Sequence, residues 1–146
     1  MTENALEVRG LSKAYRGFTV KDVSFAIPRG YVMGLIGPNG AGKTTIIKLI
    51  MNLISRGAGD VEIFGLDSRE HEVEVKSRIG FVYDEPCLPH DATARELGWA
   101  LGPFYSGWSE ERYCTLLGEF DVPENRKFKK LSHGMQMTLA LALALS

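Results

Sequence analysis

Apolar positions along the first half of the chain fall into short runs. ALEVRGL (5 to 11) and FTVKDVSFAI (18 to 27) alternate or cluster apolar residues on either side of the turn-like Tyr15-Arg16-Gly17, and they predict two strands. Pro28-Arg29-Gly30 signals a tight turn. The run YVMGLIG that follows is nearly all apolar, so residues 31 to 36 read as a central strand buried on both faces. KTTIIKLIMNLI (43 to 54) is too long for a strand and predicts a largely buried helix, closed by Ser55-Arg56-Gly57. A strand at 60 to 65, a short helix at 71 to 78 and a strand at 79 to 83 complete this part.

Beyond Tyr83 the period changes. Pro86 and Pro89 bound a loop, and segments 93 to 105, 109 to 119 and 133 to 146 read as helices, with Ser109 and two following glutamates marking one start. The closing run LALALALS alternates at period two, which formally matches a strand. Leu and Ala are nevertheless strong helix formers, and Leu139/Leu143 and Leu141/Leu145 stand at i,i+4, so a helix is expected. Apolar all round, it should be buried on most sides. The pattern thus predicts a β-rich core over 1–85 and a helical subdomain over 86–146.

Composition narrows the function classes. With 45% hydrophobic and 24% charged residues in 146, the chain is of ordinary globular type rather than disordered. A formal charge of -1 and a pI near 6.3 lack the basic footprint of a nucleic-acid binder, so no nucleic-acid partner is expected. Cys87 and Cys114 form no CxxC pair, which argues against a disulfide scaffold or zinc site and for a reduced, cytosolic compartment. MTENALEVRG carries an early Glu and no apolar run, and predicts no secretory leader. No stretch approaches the eighteen or so apolar residues of a membrane span, so any work at a membrane requires another chain to cross it.

The chemistry concentrates in GPNGAGKT, Gly37 to Thr44, which satisfies G-x-x-x-x-G-K-[ST] between an apolar run and a predicted helix. Gly37, Gly40 and Gly42 allow the backbone to bend so that successive N–H groups face phosphate oxygens, with Pro38, Asn39 and Ala41 completing the loop. The helix from Lys43 adds its positive end. Lys43 offers a point charge to the β and γ phosphates, and the Thr44 hydroxyl, followed by Thr45, is placed to ligate Mg²⁺.

Downstream, LSHGM (Leu131 to Met135) precedes a predicted helix and resembles the LSGGQ signature of ATP-binding cassette (ABC) ATPases. The order of elements is similar throughout: an aromatic before the second strand, a phosphate loop, a strand leading to a switch loop, a helical insert, then the signature. The resemblance implies an α/β P-loop NTPase fold, ABC ATPase-like, binding ATP with Mg²⁺. It implies a head-to-tail pair with a second ABC ATPase subunit, in which Ser132, His133, Gly134 and Met135 of one subunit face the γ phosphate held by the other. It also implies a separate transmembrane permease and a place on the cytoplasmic face of the membrane. Tyr15 matches the aromatic that stacks on adenine; the residues alone also allow a Tyr capping a strand edge. GFVYDEP resembles the Q-loop segment with Asp84 where Gln is usual, a carboxylate that could hold Mg²⁺ or its water, or serve as a loop cap. His133 replaces Gly and Met135 replaces Gln, variants similar to those of ATPases serving ABC-2 type exporters. His133 is otherwise an exposed substitution, and Arg126-Lys127-Phe128-Lys129-Lys130 a solvated face, a phosphate contact or a partner contact.

The resemblance covers the whole chain but only the first part of the family's domain. No apolar run leading into Asp-Glu follows Ser132. The expectation is therefore an ATP-binding part of a transporter ATPase, truncated before the catalytic carboxylates, inactive in hydrolysis alone, with strand 31 to 36 short of neighbours and prone to self-association. A non-catalytic nucleotide-binding fragment and a soluble, non-transport ABC protein are the alternatives.

Overall fold

The computed structural model describes residues 4–146, which divide into two compact units, one ending at Val75 and the other running Lys76–Ser146. The first unit is built on a hairpin. Strand β1 (Asn4–Tyr15) and strand β2 (Phe18–Pro28) pair antiparallel across the two-residue connection Arg16-Gly17. Strand β3 (Ala58–Ile63) takes the other edge of β1, and the short β4 (Leu66–Asp67), absent from the sequence reading, turns back on β3; the sheet order is β2-β1-β3-β4, all antiparallel. Opposed pairs such as Val8 and Val61 put branched side chains on one face, where Val8, Leu11, Val20, Val61 and Ile63 are buried. Helix α1 (Lys43–Ile50) contributes Ile46 and Leu49, and the short helix α2 (Glu72–Lys76) contributes Val75.

Two expectations are corrected here. Residues 31 to 36 and 79 to 83 form no strand, although both runs read as strands. A strand exists only through a partner's hydrogen bonds, and no described segment pairs with either run. The side chains of Tyr31, Val32 and Ile36 are instead exposed, Val32 and Ile36 almost completely. Helix α1 is also shorter and less buried than its apolar run implied. It stops at Ile50 because Asn52 adopts φ 53, the Leu53 amide donates to the Lys48 carbonyl at 2.9 Å and the Asn52 amide to that of Leu49 at 3.3 Å, a Schellman ending. Only Ile46 and Leu49 are buried on it, while Ile47 faces outward.

The second unit carries helices within the segments 93 to 105, 109 to 119 and 133 to 146 that read as helical. Helix α3 (Ala94–Leu101) opens on a reciprocal cap: the Thr93 hydroxyl accepts from the Glu96 amide while the Glu96 carboxylate accepts from the Thr93 amide. A 3-10 turn, Gly102–Phe104, extends it. Helix α4 (Glu110–Glu119) starts at Ser109, whose side chain accepts from the Arg112 amide, and helix α5 (His133–Leu145) carries the Leu/Ala run. Ala94, Leu97, Tyr113, Leu117, Val122, Phe128, Leu131, Leu139 and Ala142 form one core. Helix α5 is buried along one stripe only, since Leu141 and Leu145 remain exposed, against the expectation of burial on most sides. Gly80 lies so close to its last turn that a Cβ would stand 2.1 Å from the Ala144 carbonyl oxygen, so the non-strand run 79 to 83 is tied to α5 by backbone contact.

Candidate functional site

The loop from Gly37 to Gly42 is bent by glycines at positive φ, Gly40 at 81° and Gly42 at 91°. The Ala41 amide donates to the Pro38 carbonyl at 3.2 Å, which closes its first turn. Gly42 is then the residue before α1, and no side chain caps the helix. Its first turn also holds no acidic residue, so the first N–H groups and the positive end of the dipole face outward without a protein anion. Lys43 folds back over the loop, its Nζ donating to the Gly37 carbonyl at 2.6 Å and the Pro38 carbonyl at 2.9 Å. Together these donors suit a polyphosphate, and the family of oxygens they would gather is the right one for a divalent cation held by phosphate and the exposed Thr44 hydroxyl. No cluster of three His, Cys, Asp or Glu that could hold a metal without such a ligand occurs among the described residues.

Asn39, Gly40, Gly42, Lys43, Thr44 and Thr45 line one open depression of about 320 Å³, and Phe18 lines it with them. Phe18 escaped the sequence reading. The signal available was its place directly opposite Tyr15 across a two-residue connection, which puts both rings on one face. Their rings lie near parallel, at 6.5 Å between centroids and 25° between planes. Tyr15 is itself partly exposed, with the Lys13 ammonium 5.5 Å from its ring centre.

The signature residues and Asp84 belong to the second unit. Ser132 is the residue before α5, and its hydroxyl accepts from the Met135 amide at 3.3 Å, so this helix end, unlike that of α1, is capped. Ser132, His133 and Gly134 are exposed, whereas the Met135 side chain packs against the helical core. Gln136, next along, donates from Nε2 to the Phe128 carbonyl at 3.1 Å and the Leu131 carbonyl at 3.4 Å, holding the segment in place. His133 and Gln136 border a depression of about 350 Å³ with Glu85, His90 and Lys129. In the basic run, Lys129 and Lys127 both reach Asp91, and these hydrogen bonds, that of Lys129 first, hold its carboxyl below the usual carboxylate range. Asp84 is exposed in the loop after Tyr83.

A profile described as "ABC transporter" matches residues 20–146. The chain belongs to the ABC transporter family. Its similarity to individual members is of the same kind: it is 33% identical over 140 residues to the ABC transporter ATP-binding protein YtrB of Bacillus subtilis, covering 95% of this chain and 48% of that protein. It is 34% identical over 146 residues to the SkfA peptide export ATP-binding protein SkfE of the same organism, covering 96% of this chain and 60% of the relative. A solved structure titled as the ATP binding subunit of an ABC transporter superposes with a TM-score of 0.86 at 30% identity, over 96% of this chain and 61% of that one. The ABC ATPase form of the P-loop fold is thereby shown, and the family implies nucleotide binding, typically with Mg²⁺. The chain spans about half the length of YtrB and some three fifths of the others. Among the described residues no helix is long and apolar enough to cross a membrane.

Proposed function

We propose that the chain is the ATP-binding part of a transporter ATPase subunit, holding the triphosphate with Gly37 to Thr45 and Mg²⁺ through Thr44, with Tyr15 beside the base. The observation that carries this reading is the bare start of α1: an uncapped helix end without acidic neighbours, beneath a lysine already folded into the loop. When bound, the nucleotide supplies the phosphate charge that these donors would match. Lys43 would exchange loop carbonyls for phosphate oxygens, and the Gly40 and Gly42 conformations would hold the amide row in place.

The exposed row Ser132, His133 and Gly134 supports a second role, presentation to nucleotide held by another ATPase subunit in a head-to-tail pair. Asp84 in its exposed loop would serve the metal's water in that assembly. The similarity to an ATP-binding protein named for peptide export supports an export system; in this reading a separate permease crosses the membrane and the chain works at its cytoplasmic face. In this reading these 146 residues bind nucleotide but do not turn it over alone, since no apolar run leading into Asp-Glu follows Ser132 to orient the attacking water. The exposed Tyr31, Val32 and Ile36 favour self-association of the isolated chain.

Calorimetric titration with Mg-ATP tests the binding claim. The chain should bind, and Lys43→Ala should bind at least about tenfold more weakly, in keeping with loss of a charge-assisted contact. Equal affinities for the two proteins would remove the phosphate-loop assignment.

A further inference from the structure

Phe18 stands at a junction that the phosphate loop by itself does not explain. A Cβ built on Gly42 would lie 2.5 Å from Phe18 Cζ and 3.4 to 3.5 Å from its two Cε atoms, so the tip of the ring points directly at the glycine that precedes α1. Gly42 is thus constrained twice, by φ 91 and by the ring above it. The flank of the same ring lies near parallel to Tyr15, which the hairpin register places opposite it. One side chain therefore touches both the turn that presents amides to phosphate and the aromatic proposed to face the base.

Resting on the proposed nucleotide site, we infer that Phe18 is a positioning residue that sets the Tyr15 ring at a fixed distance from the phosphate loop, so that base and phosphates are gripped as one ligand. The physical basis is rigidity. Tyr15 ends β1 at a two-residue connection and is exposed, with Phe18 and the Lys13 ammonium beside its ring. Phe18 is in turn held against backbone, which cannot rotate away as a flexible side chain would. The ligand class follows from this: a nucleoside polyphosphate with a planar base, in preference to a bare polyphosphate.

Calorimetry with two probes, Mg-ATP and inorganic Mg-tripolyphosphate, tests the inference on the full chain. Phe18→Ala should weaken ATP about five- to tenfold, within the range for losing aromatic support of a base, and leave tripolyphosphate within about twofold. Adding Tyr15→Ala to Phe18→Ala should cause little further loss of ATP affinity, since the two rings act as a unit. Phe18→Leu, which keeps apolar volume beside Gly42, serves as the folding control and should show the same ATP-selective loss in milder form. Phe18→Tyr should weaken both ligands, because its hydroxyl extends from the atom that faces Gly42. Equal weakening of ATP and tripolyphosphate by Phe18→Ala would reduce Phe18 to a support of the loop and overturn the inference. Unchanged ATP affinity, or fully additive losses in the double variant, would overturn it as well. Failure of the parent reading shows separately, as indifference of ATP binding to Lys43→Ala.

Discussion

Tyr113 is fully buried, and its hydroxyl donates to the Ala94 carbonyl at 2.7 Å in the core of the helical unit. Tyr113→Phe removes that bond and little else, because the ring and its neighbours stay. Ala94 opens α3, so its carbonyl keeps the i+4 helical partner and is not left bare. The cost is therefore the net worth of one hydrogen bond, about 1 kcal/mol. Burial, aided by the negative charge of Glu110, pushes the Tyr113 phenol well above its ordinary value. A group whose folded-state pKa is raised lends its full stability below the unfolded value, near 10 for tyrosine, and loses it as pH climbs from there toward the folded value. Over that window the unfolded chain has released one proton more than the folded one, so wild-type stability falls by up to about 1.4 kcal/mol per pH unit from this group alone. The variant lacks the term. At pH 8 the wild type should exceed Tyr113→Phe by about 1 kcal/mol, and the two should cross between roughly pH 10.5 and 11. Urea unfolding followed by tryptophan fluorescence reads this unit selectively, since Trp99 and Trp108, the only two tryptophans, both lie in it and Trp108 is 5.0 Å from the Tyr113 ring. Other lysines and tyrosines cancel in the difference. A stability difference that stays flat to pH 11 would refute the argument, because the phenol would then ionise as readily folded as unfolded.

Two further substitutions probe each unit. Leu139→Ala, in the buried stripe of α5, should cost about 2 to 5 kcal/mol by the same fluorescence assay, and Leu141→Ala, on the exposed side, less than about 1; similar costs would mean that α5 is not one-sided. Arg56 is 6% exposed, donates from Nη2 to the Ser68 hydroxyl at 3.1 Å, and leaves Nε and Nη1 without partners among the described residues. Burial, then repulsion from Arg69, holds its pKa below the usual arginine value. Arg56→Met should therefore leave the first unit as stable or stabilise it by up to about 2 kcal/mol, measured by amide hydrogen exchange of β3. A loss above about 1 kcal/mol would show that the guanidinium is better satisfied than its contacts indicate.

The helices of the second unit were legible because their signals are local. Ser109 with its two glutamates and the i,i+4 leucines of α5 each act within a turn or two of chain. The phosphate loop was legible for the same reason: eight consecutive residues dictate its glycine bends and the charge at its end. Where α1 stops was less visible, since the left-handed Asn52 is steadied by its side-chain bond to the Ser68 carbonyl, sixteen residues away. Apolar runs 31 to 36 and 79 to 83 were misread as strands. Their composition expresses a preference for burial, but pairing depends on a second segment, and none of the described residues supplies one.

By itself, then, the order of amino acids determined the hairpin, the phosphate loop, the helix starts and the family, because backbone propensity, glycine freedom and capping operate over a few residues. Tertiary structure alone decided that Phe18 bears on Gly42, that Met135 turns into the core while Ser132 and His133 face outward, and that only one stripe of α5 is covered. Those facts are distances between segments apart in the chain, and each arises only when its own unit closes around its core.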